Sequence, residues 1–171
     1  MFIETKEIGP EGLVVSRSFD AFRLPVSDQD SIRVDRVQLS GELQRDQDGF
    51  SFVGRVETIA TLSCSRCLEE YSWPLDLPFD LFYTTSRQGG AREDSRIDEE
   101  MVTATYFEGA RIDLMALVSE QVYLGLPLKP LCRPDCQGLC PRCGTNLNTG
   151  ACACAEKRTE DPRLRVLKNL L

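Results

Sequence analysis

From Phe50 to Cys64 the chain alternates: Phe50, Phe52, Gly54, Val56, Thr58, Ala60, Leu62 and Cys64 share one face, with Arg55, Glu57 and Thr61 on the other. A period of two over such a length predicts a strand covered on one side. The preceding "DQDGF" has turn chemistry, and "VQLSGEL" before it offers a partner strand. A second alternation puts Tyr71, Trp73, Leu75, Leu77, Phe79, Leu81 and Tyr83 together, opposite Ser72, Pro74, Asp76, Pro78 and Asp80. Its two prolines, which donate no ladder hydrogen bond, predict an edge or irregular strand. Between the two runs lies "CSRCLEE", where a hairpin connection belongs.

Residues 86–100, "SRQGGAREDSRIDEE", are polar and acidic and predict a loop or insertion. The period then changes. Ile112, Met115, Ala116, Ser119, Val122 and Tyr123 recur at helical spacing, Asp113 suits the first turn, and Gly125 with Pro127 ends the run, so a helix is expected over about residues 114–124. Near the C-terminus, "EDPRLRVLKNLL" offers Asp161 as a cap, Pro162 at the first helical position, and an apolar stripe of Leu164, Leu167, Leu170 and Leu171. The expected fold class is α+β: an antiparallel β-rich domain over 1–128 with one main helix, then a small zinc-binding cysteine segment over 129–171 ending in a short helix.

A chain of 171 residues is long enough to bury a core without disulfide staples. The opening "MFIETKEIGPEG" mixes acidic and apolar residues unlike a secretory signal, and no apolar run approaches the roughly 18 residues of a membrane span. The expectation is a soluble, cytoplasmic protein. In that reducing setting eight cysteines point to metal before disulfides, and the absence of histidine removes both the commonest general base and the mixed Cys/His zinc site.

The thiols fall into four pairs: Cys64/Cys67, Cys132/Cys136, Cys140/Cys143 and Cys152/Cys154. Zinc takes four tetrahedral ligands, so two ions would use every cysteine. "CPRCG" is the most specific piece, because its two sulfurs reach one ion and Gly144 permits a positive φ as the chain turns away. Proximity in sequence favours Cys140, Cys143, Cys152 and Cys154 at one zinc and Cys64, Cys67, Cys132 and Cys136 at another, although cross-braced pairings use the same four pairs. Asn146, Asn148 and Gly150 suit tight turns in the connecting loop. Two other chemistries compete for these cysteines. Cys136, Cys140 and Cys143 spell C-x3-C-x2-C, the spacing of a [4Fe–4S] site, yet too little chain follows for the barrel that usually accompanies it. "CSRC" also has the form of a redox pair, but without a thioredoxin-like βαβ pattern around it.

Taken together, "CSRCLEEY" after a long strand, the helix leading into "LPLKPLC", "DCQGLCPRCGTNLNTGACAC" and "DPRLRVLKNLL" resemble the YceD family of large-ribosomal-RNA accumulation proteins, from about residue 50 to the C-terminus. The resemblance implies a role in accumulation or maturation of 23S ribosomal RNA, and so in large-subunit assembly, without a defined catalytic reaction. It also implies that members can lack the C-terminal cluster while keeping the hairpin C-x-x-C, as expected if metal supports shape.

Net charge is −7, with an uneven distribution. From Lys129 onward eight basic residues face four acidic ones, giving +4, and residues 1–128 carry −11. Lys129, Arg133, Arg142, Lys157, Arg158, Arg163 and Arg165 are therefore candidate phosphate contacts on ribosomal RNA or a pre-50S particle, while the absence of aromatic residues after Tyr123 argues against base stacking. The alternative is a zinc-dependent interaction module or chaperone for a basic ribosomal protein, for which the acidic front half is suited. An enzyme is not expected: an all-cysteine zinc site is closed to substrate, and nothing in the chain points to a membrane or a small-molecule substrate.

Overall fold

The two long alternating runs become the two longest strands. In the computed structural model, which describes residues 1–27, 30–46, 49–84, 104–106 and 111–154, the elements in chain order are β1 (Phe2–Glu4), β2 (Leu13–Phe19), β3 (Phe22–Pro25), β4 (Ser31–Val34), β5 (Val37–Arg45), β6 (Gly49–Ser63), β7 (Glu70–Thr84), β8 (Ala104–Tyr106), β9 (Arg111–Asp113) and α1 (Leu114–Gly125). The chain divides into two compact units, one of residues 1–62 with 72–128, the other of residues 63–71 with 129–171. The expected loop at 86–100 and the expected helix after Asp161, with its leucine stripe, lie outside the described residues.

The first unit is mostly antiparallel sheet. Its strands run β2-β5-β6-β4-β3, with β7 also paired to β6 and β8 added to β7 in parallel; β1 and β9 form a separate antiparallel pair. The face of β6 read from the alternation is the buried one: Phe50, Phe52, Val56, Thr58, Ala60 and Leu62 are all shielded from solvent. Gly41 of β5 stands opposite Gly54 of β6, and the missing side chains leave room for Phe52 and Phe79, whose rings meet edge to face with centroids 5.1 Å apart. A Cβ on Gly54 would come within 2.7 Å of the Phe79 ring, so this glycine is set by packing.

On β7 every second apolar side chain of the alternating face is buried (Leu75, Phe79 and Tyr83), while Trp73 is exposed. β8 meets only Phe82–Thr84, so among the described residues Pro74 and Pro78 lie where the outer side of β7 has no partner strand, as their missing N–H groups require.

The helix begins where its cap dictates. Asp113 Oδ1 accepts from the backbone N–H groups of Met115 (2.9 Å) and Ala116 (3.4 Å), and the run ends at Gly125, where a Cβ would press into Leu77. Its inward stripe corrects the expectation from spacing. Leu114, Leu117, Val118 and Val122 are buried, whereas Ala116 and Tyr123 are exposed and Ile112 belongs to β9. Two overlapping sets satisfy the i, i+3, i+4 rule in this segment, and the larger aliphatic side chains occupy the interior.

Candidate metal centres

The second unit is organised by its cysteines. Past the end of β6, Cys64 N–H donates to Glu69 O at 2.9 Å and Leu68 N–H returns to Cys64 O at 2.9 Å, closing a tight knuckle around Cys64 and Cys67. Cys140 and Cys143 sit in a matching turn in which Gly144 N–H donates to Cys140 O, also at 2.9 Å. Both knuckles need a left-handed residue after the second cysteine: φ is 62° at Leu68 and 74° at Gly144. Ser65 anchors the first knuckle on the incoming chain, its N–H and hydroxyl donating to Pro130 O at 2.9 and 2.7 Å.

The eight sulfurs gather into two groups, Cys64/Cys67/Cys132/Cys136 and Cys140/Cys143/Cys152/Cys154, with the four sulfurs of each within 4.8 Å of one another. This is the partition that proximity in sequence favours. A tetrahedron of thiolates with metal bonds of about 2.3 Å has edges of about 3.8 Å. The Cys64–Cys136 and Cys67–Cys132 sulfur pairs, both 3.7 Å apart, match that edge. All eight cysteines are free thiols, so each group can hold one four-coordinate ion. Cys136 falls in a different group from Cys140 and Cys143, which takes apart the C-x3-C-x2-C reading of the sequence.

The electrostatics of each group split its thiols between lowered and raised values. Burial acts to raise the Cys64 thiol, but backbone N–H groups of Cys132, Cys67 and Arg66 outweigh it and lower Cys64 to about 6. Its neighbour Cys132 is pushed up to about 12 by burial and by its hydrogen bonds with the other three sulfurs. In the second group the Thr145 hydroxyl, 3.2 Å from Cys143 Sγ, and the Thr145 backbone bring Cys143 down to about 6, while the hydrogen bond with Cys143 and burial push Cys154 up to about 11. One thiolate at such close range discourages the next, and a divalent cation removes that penalty.

Support around the sulfurs comes from residues whose spacing gives no warning of it. Arg66 Nη1 donates to Cys136 O at 2.7 Å and Leu139 N–H donates to Arg66 O at 3.1 Å. Gly138, with φ of 75°, lets this contact form, since a Cβ there would lie 2.9 Å from Arg66 O. Asn148 was legible as a turn residue only; its Oδ1 accepts from Gln137 N–H at 2.8 Å and its Nδ2 donates to Cys136 Sγ at 3.3 Å. The first group is also the apolar centre of the unit: Cys64, Cys67 and Cys136 are buried, with Tyr71, Leu131, Cys132 and Leu139 packed around them. The second is more open, with Cys143 exposed.

Of the candidate phosphate contacts, Lys129, Arg133 and Arg142 are exposed, and Arg133 is ion-paired with Asp135 at 3.7 Å. Lys157, Arg158, Arg163 and Arg165 lie outside the described residues. No helix among the described residues is long and apolar enough to cross a membrane.

A family model described as "Large ribosomal RNA subunit accumulation protein YceD" matches residues 52–171, a span that takes in every cysteine of both groups. The chain belongs to the YceD family. Among curated YceD relatives, the maize protein "Large ribosomal RNA subunit accumulation protein YCED homolog 1, chloroplastic" is 28% identical over 152 residues, covering 75% of this chain and 50% of its own length. The Arabidopsis thaliana protein of the same description is 28% identical over 145 residues, 72% of this chain and 45% of its own. An uncharacterized protein of Mycobacterium tuberculosis is 33% identical over 102 residues, 58% of this chain and 46% of its own. The chain thus spans about half the length of the curated relatives it matches. No solved structure matches.

Proposed function

We propose that this YceD-family chain is a non-enzymatic, zinc-stabilised factor that supports accumulation of 23S ribosomal RNA by acting in assembly of the large ribosomal subunit. The observation that carries the metal part is the sulfur geometry: two sets of four thiols, each on the scale of a zinc tetrahedron. The family description supplies the process. Four thiolates complete the coordination of each zinc, leaving no open position for a substrate, and a chain without histidine lacks the commonest general base. Bound zinc supplies folding energy to a segment whose buried centre is largely the sulfurs themselves. The cytoplasm, being reducing, keeps these thiols available as ligands.

Two measurements test this reading. Native mass spectrometry is expected to find two zinc ions per chain, and protein with neither zinc would sink the metal assignment. Depletion in cells is expected to lower 23S ribosomal RNA relative to 16S, with restoration by the wild-type chain but not by a Cys64→Ser/Cys140→Ser double variant. Unchanged 23S levels on depletion would remove the process.

A further inference from the structure

The two knuckles differ at one residue in a way the fold does not require. Both turn through a left-handed residue that donates its N–H to the first cysteine of the pair; the second knuckle places Gly144 there, the first Leu68. Glycine adopts that backbone without steric penalty, whereas a leucine brings its Cβ against the neighbouring carbonyl. Leu68 does not recover the cost by packing inside the chain, because it is 67% exposed. A strained residue that presents an apolar side chain to water is best explained by what that side chain meets outside the chain.

The surroundings select the partner. Leu68 is followed directly by Glu69 and Glu70, both exposed, while Arg66 on its other side is committed to Cys136 O. Four thiolates around one Zn²⁺ carry a net −2, so filling both centres takes the whole chain from −7 to −11. The unit that holds both centres has nine basic and six acidic side chains, a balance of +3 that two filled centres turn to −1. Beside the leucine, the exposed carboxylates of Glu69 and Glu70 favour a basic protein over a phosphate.

We infer that Leu68, flanked by Glu69 and Glu70, is the apolar anchor of a docking surface for a basic protein of the large ribosomal subunit, the leucine entering a pocket rimmed by lysine or arginine. This inference rests on the zinc-loaded, assembly-factor reading and narrows its partner from ribosomal particle to basic protein.

The decisive variants are Leu68→Gly and Leu68→Asn, both compatible with left-handed backbone and both lacking the apolar side chain. Each is expected to keep two zinc ions and a Tm no lower than wild type. The probe is the set of basic proteins extracted from purified large subunits, with the bound component identified by mass spectrometry, set against protein-free 23S ribosomal RNA fragments at physiological salt. Wild-type holoprotein is expected to hold one or a few of these proteins, and both variants to weaken that binding at least tenfold. Equal binding by wild type and variants would overturn the anchor, as would a variant that loses zinc or stability. Tighter wild-type binding to the naked RNA than to any of the proteins would overturn the choice of partner. Co-sedimentation of wild type with pre-50S particles, measured alongside, reports on the assembly reading separately, because it can persist when the Leu68 variants show no effect.

Discussion

Asn148, in the loop joining Cys143 to Cys152 of the second cysteine group, donates its Nδ2–H to Cys136 Sγ of the first at 3.3 Å. A loop with both ends in one centre thereby steadies a ligand of the other. Its amide is fixed in turn by Asn146 Oδ1, 2.8 Å from Nδ2, and by Gln137 N–H at its own Oδ1. Hydrogen bonds to coordinating thiolates orient the ligand and stabilise its negative charge.

Asn148→Ala is therefore expected to lower zinc affinity at the first group by roughly 10–100-fold while both ions still bind at saturation. Competition with a chromophoric chelator, read for each site with the other group disabled by Cys→Ser changes, measures the effect. An unchanged first-site affinity would show the contact to be incidental.

Two glycines separate conformational strain from steric contact. Gly138 and Gly144 share a positive φ, but a Cβ at Gly138 meets Arg66 O at 2.9 Å, whereas one at Gly144 meets nothing within 4 Å. Gly144→Ala is expected to cost about 1–2 kcal/mol from backbone strain alone, and Gly138→Ala measurably more. Thermal unfolding of the two zinc-loaded variants, side by side, gives the comparison; equal losses would contradict it.

Zinc uptake should release protons. Without metal, Cys132 lies near 12 and Cys154 near 11, and Cys67 and Cys152 are also raised, so these thiols are protonated at neutral pH and must deprotonate to coordinate. Protons compete with zinc, so affinity rises with pH and falls as pH drops. A pH-indicator dye in weakly buffered solution is expected to register more than one proton per zinc bound, and proton-neutral uptake would show that the thiols are not the ligands.

Cys140→Ser removes one ligand of the second group only. Native mass spectrometry is expected to show one zinc in place of two, and hydrogen exchange to show lost protection in residues 140–154 with β5 and β6 still protected. Global loss of protection would mean that the sheet depends on the second centre.

How much of this was legible in the chain follows the range of the interactions involved. The hairpin of β6 and β7 could be read because long strands buried on one side must alternate, and the helix ends because Asp113 and Gly125 act within one turn. The four short strands before β5, and the pairing of β1 with β9, could not be, since three to seven residues carry too little periodicity and their partners are distant in sequence. The buried side of α1 escaped because two stripes compete within one apolar segment. In the two cysteine groups the thiols announced themselves by spacing. The contacts that hold them did not: Arg66 reaches Cys136 across 70 positions, and no local pattern encodes such a contact.

The placement of Cys64 on one hairpin and Cys136 beyond the helix has a further consequence. One ion gripped by both closes a noose of 72 residues. A permanent crosslink of that span would stabilise by about 4 kcal/mol through the freedom it denies the unfolded chain. With zinc as the clasp, as proposed, its scarcity or a competing chelator would undo the crosslink without cutting a covalent bond and would tie the protein's lifetime to metal supply.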